Sequence, residues 1–121
     1  MTHRRVVITG MGAVSPLGCD IETIWKRLLA GQSGIRVLPD EIVETLSVKV
    51  GGQVLSKDQD PESGFEPDLF VVPKDQKKMD RFILFAMAAA DMAITHAGWK
   101  AETDEQQERT ATVIGSGIGG F

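Results

Sequence analysis

Residues 77–97 read as one long helix that is apolar on nearly every side, and this constrains the fold more than any other segment. Phe82, Phe85, Ala86, Ala89, Ala93 and Ile94 share one face, and Ala86, Ala88, Ala89, Ala90, Ala93 and Ala97 offer short side chains on which neighbouring backbones can settle. Gly98 is the expected left-handed stop. A helix of this kind is covered on more than one side. Two covering layers are hard to supply from 121 residues, so we expect the chain to belong to a larger fold. Residues 110–114 point the same way. They form an apolar strand-like run leading into Gly115-Ser-Gly117-Ile-Gly-Gly120, a turn that ordinarily feeds a helix or another strand. We expect the sequence to be the N-terminal piece of a longer protein.

The first third opens an α/β unit. Residues 5–9 are rich in β-branched side chains and close on Gly10-Met-Gly12, which predicts a buried strand with a tight exit. Pro16 keeps Ser15 out of helix. Asp20 is a good N-cap, and Ile21, Ile24, Trp25, Leu28 and Leu29 then follow the spacing of one helical face until Gly31, with Lys26 and Arg27 on the other side. The signal weakens over an excursion around 37–73. A short strand is expected at 48–50, broken by Gly51-Gly52. The Asp, Pro, Ser, Gly and Glu of 57–67 read as exposed loop, so the excursion is expected to be a surface cap rather than core. Residues 101–109 read as a solvated connection.

Composition bounds the function classes. The net charge of −4 implies no general affinity for nucleic acid. No stretch approaches the roughly 20 apolar residues of a membrane span. A single cysteine and no signal-peptide pattern lead us to expect a cytoplasmic protein.

Candidate chemistry is sparse. Gly115-x-Gly117-x-x-Gly120 matches a dinucleotide-binding pattern, but the same glycines equally serve a tight turn where backbones pack closely. Cys19, beside the first helix start, is either a thiol nucleophile or a small residue filling a turn. His3, His96 and Cys19 have no metal-ligand spacing, and no metal or cofactor is expected. The densest basic cluster, Lys74-Asp-Gln-Lys77-Lys78-Met-Asp-Arg81, sits at the expected start of the 77–97 helix, where cations oppose the dipole. It is either a solvated face or a docking patch for an acidic partner.

Four segments together resemble the β-ketoacyl-acyl-carrier-protein synthases: Val6-Val-Ile-Thr-Gly-Met-Gly-Ala-Val-Ser-Pro-Leu-Gly18, Trp25-Lys-Arg-Leu-Leu-Ala-Gly-Gln-Ser-Gly-Ile35, Lys74-Asp-Gln-Lys-Lys-Met-Asp-Arg-Phe82 and Ile114-Gly-Ser-Gly-Ile-Gly-Gly120. They stand in the family's order and spacing across nearly the whole chain, and Ser15-Pro-Leu-Gly and Ser116-Gly-Ile-Gly-Gly look like the elongating synthase II branch. The resemblance implies that 1–121 is the first part of a thiolase-like α/β fold, layered α/β/α/β/α and incomplete here, from an enzyme that is usually a homodimer. It implies an acyltransferase of fatty-acid synthesis that condenses malonyl-carrier protein with an acyl thioester, losing carbon dioxide. The family's nucleophilic cysteine and two catalytic histidines lie beyond this region, so no catalytic residue is assigned and the piece alone is expected to be inactive. The resemblance places acyl carrier protein docking on Lys74, Lys77 and Lys78, and the acyl pocket against Ile118. Polyketide ketosynthases and catalytically silent chain-length factors share much of this pattern. A truncated dinucleotide-binding domain is the remaining alternative.

Overall fold

Asp20 starts the first helix as its side chain dictates. In the computed structural model, which describes residues 3–118, α1 spans Ile21–Leu29 and the Asp20 carboxylate accepts the Thr23 N–H at 2.7 Å. Gly31, at φ 69°, carries the chain out of the helix through the left-handed region. There follow β1 (Ile35–Val37), α2 (Asp40–Val43), β2 (Val50–Gly52), a 3-10 turn (Pro67–Leu69), α3 (Pro73–Gln76), α4 (Arg81–Ala97) and α5 (Asp104–Glu108). β1 and β2 pair antiparallel, with Ile35 opposite Gly52 and Val37 opposite Val50.

The expected break at Gly51-Gly52 does not occur, because both glycines belong to β2. A Cβ on Gly51 would stand 2.9 Å from Leu38 Cδ1, and one on Gly52 2.9 Å from Pro16 Cγ. The glycines answer to crowding on the strand's faces, not to a turn.

The long helix begins at Arg81 rather than at residue 77. Asp80 is still extended (φ −69°, ψ 156°), and Lys77 ends the separate α3. At the far end Gly98 adopts φ 61° as expected. The alanines of α4 receive the N-terminal segment. A Cβ on Gly10 would meet the Ala93 carbonyl and stand 2.5 Å from Ala97 N. One on Gly12 would meet the Ala89 carbonyl and stand 2.8 Å from Ala93 N. Two alternate residues of an extended segment thus lie on the i, i+4, i+8 row of the helix, backbone against backbone. Met11, between them, donates its N–H to His96 Nδ1 at 3.1 Å.

The strands expected at 5–9 and 110–114 are not formed. Neither run has a hydrogen-bonded strand partner among the described residues, and a strand exists only through its partner. Their side chains stand open, with Val6 93% and Val113 88% exposed. The α1 face bearing Trp25, Leu28 and Leu29 is likewise exposed.

The excursion is the larger correction. Instead of a surface cap, it supplies most of the interior. Val43, Ser63, Phe65 and Val71 are buried there, joined by Ala88 of α4. Phe65 stacks parallel to Phe70 with ring centroids 6.3 Å apart and meets Phe85 edge-on at 4.8 Å, the geometries that aromatic quadrupoles favour. Residues 101–109 are solvated as expected, and they also hold a short helix. They contain α5, opened by a capping box in which the Thr103 side chain accepts the Gln106 N–H and Gln106 reaches back to the Thr103 N–H.

Candidate functional site

The basic cluster is a surface of its own, separate from the α4 start. Lys74 lies within α3, Lys77 closes it and Lys78 follows, all three exposed. The helix-dipole conflict expected from the sequence is thereby removed, since none of the three lysines is in the first turn of α4. Arg81 is in that turn, and its guanidinium is turned aside to donate to the Val54 carbonyl at 2.9 Å and to lie 5.2 Å from the Phe85 ring centre. Lys78 pairs with Asp75 at 2.9 Å. Among the described residues Lys74 and Lys77 have no ion-pair partner.

Ile118 stands 71% exposed at the other end of the chain. Its carbonyl accepts the Ser116 hydroxyl at 3.3 Å. Just before it, the segment from Thr112 to Ser116 faces Phe82, Ile83, Ala86, Met87 and Ala90 of α4 across an apolar groove of about 480 Å³. A Cβ on Gly115 or Gly117 would meet nothing within 4 Å. No helix begins at residues 115–118. Gly119 and Gly120 lie outside the described residues.

Cys19 is poorly set for nucleophilic work. Burial pushes its thiol pKa up and outweighs the local hydrogen bond from Ser15, so the thiolate is disfavoured. Its backbone N–H donates to Ser63 Oγ at 2.8 Å. His96 is committed to the Met11 backbone, and among the described residues no group of histidine, cysteine, aspartate and glutamate side chains has metal-binding geometry.

A polar clamp fastens the excursion to α1. Arg27 holds Asp60 with both nitrogens, at 2.5 and 3.0 Å, and also reaches the Leu17 carbonyl and Glu62, each at 2.8 Å. Lys26 adds a second contact to Glu62 at 2.8 Å. Ser63 donates to the second oxygen of Asp20, so the capping residue of α1 also grips the loop. Burial raises the Asp20 pKa, but the hydrogen bonds from Ser63 and Thr23 outweigh it and leave a net downward shift. The sequence marked Lys26 and Arg27 only as the polar side of α1. The pairing was hidden because Asp60 lies 33 residues from Arg27.

Asp60 and Arg27 have side chains only 13% and 15% exposed, so screening by solvent is weak. The Arg27 hydrogen bond, assisted by backbone N–H groups of Ser63 and Glu62, overcomes burial and lowers the Asp60 pKa to about 2. Since the folded value is below the unfolded one, the stabilisation is full above about pH 4 and is lost as pH falls towards 2. We expect about 2 kcal/mol to disappear over that window. In an unfolding-versus-pH series, Asp60→Asn should flatten this part of the curve. An unchanged slope would remove the clamp as its source.

Comparison with known proteins follows the same outline. The family model described as "Beta-ketoacyl synthase, N-terminal domain" matches residues 3–121. A 3-oxoacyl-[acyl-carrier-protein] synthase 2 from Rhizobium meliloti is 50% identical over 98% of this chain, which covers 28% of that protein. The protein of the same name from Vibrio cholerae is 40% identical over the full chain, which covers 27% of it. A mitochondrial 3-oxoacyl-[acyl-carrier-protein] synthase from Arabidopsis thaliana is 37% identical over 98% of the chain, covering 28% of that relative. The chain therefore spans little more than a quarter of the length of these relatives. With a match that runs from His3 through every described residue, the chain belongs to the β-ketoacyl synthase family and carries its N-terminal domain.

Proposed function

We propose that this domain serves a 3-oxoacyl-[acyl-carrier-protein] synthase of fatty-acid elongation. In that reaction the malonyl group on its carrier loses carbon dioxide. The resulting carbanion attacks the acyl thioester carbonyl, and the thiol that carried the acyl chain leaves. The observation that carries this reading is the 50% identity to a synthase 2 over 98% of the chain. The domain's share is recognition rather than bond-making, with no catalytic residue among its own. The thiolase-like α/β/α/β/α layering, a homodimeric assembly and a cytoplasmic location are part of the same proposal. The open apolar runs at 5–9 and 110–114 favour the layering, because both need strand neighbours that the described residues do not supply.

In this reading Lys74, Lys77 and Lys78 receive the acidic carrier protein, and Ile118 borders the acyl chain. Exposed cations gain little singly, but a group of one sign steers and orients an oppositely charged partner. The lack of an ion-pair partner for Lys74 and Lys77 supports such a role.

Replacing all three lysines by glutamate in the full-length protein should raise the apparent KM for carrier-bound substrate about tenfold at low salt, with kcat within about twofold. The difference should shrink as salt is added. An unchanged KM at low salt would sink the docking assignment.

A further inference from the structure

We propose that Gln76 is a positioning residue for the carrier-docking surface, a reading that rests on the docking role of Lys74, Lys77 and Lys78. α3 has only four residues. So short a helix cannot hold its own conformation in water, so the direction of the lysines it carries must be imposed from outside. Gln76 is the side chain that imposes it. Its Nε2 donates to Asp68 Oδ1 at 2.7 Å and to the Val71 carbonyl at 2.6 Å. Both partners are acceptors only, so the amide has one satisfactory orientation, with both N–H groups engaged.

The two partners lie on the segment just before α3. Asp68 is in the 3-10 turn, and Val71 is buried and directly follows Phe70, whose ring stacks on Phe65. The Gln76 amide therefore braces the last turn of α3 against a fixed part of the interior. Pro73, at the first position of α3, fixes the entering backbone, while the Asp75 and Gln76 N–H groups return to the Val72 carbonyl at 2.9 and 3.2 Å. Lys74 within α3 and Lys77 at its C-cap flank the brace. Without it α3 keeps its charge and loses its aim. Gln76 touches neither substrate nor any reacting atom in this scheme, so its loss acts on carrier recognition alone.

The test is a steady-state comparison in the full-length enzyme, using an acyl-carrier substrate and the same acyl group on free pantetheine. Gln76→Leu should raise KM for the carrier substrate about fivefold, the size expected for losing one ordinary hydrogen bond. kcat and the KM for the pantetheine substrate should stay within about twofold. Asp68→Asn, which keeps an acceptor oxygen, should retain wild-type KM, whereas Asp68→Leu should reproduce part of the Gln76→Leu effect. Unchanged carrier KM in Gln76→Leu, with the triple lysine variant impaired, overturns the positioning role and leaves docking intact. Equal losses on both substrates overturn it in favour of a general folding defect. A triple lysine variant with normal carrier KM overturns the docking reading and the proposal with it.

Discussion

Gly12→Val should destabilise the full-length protein by about 3 kcal/mol. A side chain at Gly12 has no room on α4. Its first carbon would already press on the Ala89 carbonyl and stand 2.8 Å from both Ala93 N and Met92 Cβ. These are atoms of a helix backbone or fixed directly to it, so they cannot swing aside. The N-terminal segment would have to lift, giving up the Met11 hydrogen bond to His96 and the close contact at Gly10 as well. Denaturant midpoints of the wild type and the variant decide the matter. Equal midpoints would mean that the seam is not closely packed.

Phe65→Ala should cost about 4 kcal/mol, the upper range for removing a buried aromatic. Phe65 is 6% exposed and is the only residue in contact with both Phe70 and Phe85 among the aromatic pairs of the described residues. It joins the excursion to α4, and a cavity at this point has a rigid helix on one side. Phe65→Leu keeps most of the volume and should cost about 1 kcal/mol. Both values come from denaturant unfolding. A Leu variant as damaged as the Ala variant would show that ring geometry, not filled volume, holds this contact.

Local signals were legible and distant ones were not. Asp20, Gly31 and Gly98 marked helix ends correctly because capping is decided within a few residues of chain. The alanines of α4 were read as a close-approach surface, and Gly10 and Gly12 settle there. Residues 5–9 and 110–114 have strand composition, yet a strand is a relation between two segments and composition names only one. Phe65 looked exposed because polar turn residues surround it, while the Phe85 ring that covers it comes from elsewhere in the chain. Thr103-Asp-Glu-Gln106 carried a capping-box signature; the segment is solvated as read, but its short helix was missed. At the candidate site the lysines stood out by charge. Their separation from α4 turned on Asp80, and Gln76 went unread because its partners are defined only once the turn at Pro67–Leu69 is folded.

The excursion is fastened at two nearby points by forces of different kinds, charge at Arg27–Asp60 and aromatic packing at Phe65–Phe85. Cooling weakens apolar packing, whereas acid neutralises the carboxylate partner of the ion pair. A cold solution therefore loosens the α4 contact first, and an acidic one the α1 contact. The same segment has two fastenings, and the solvent selects which of them weakens.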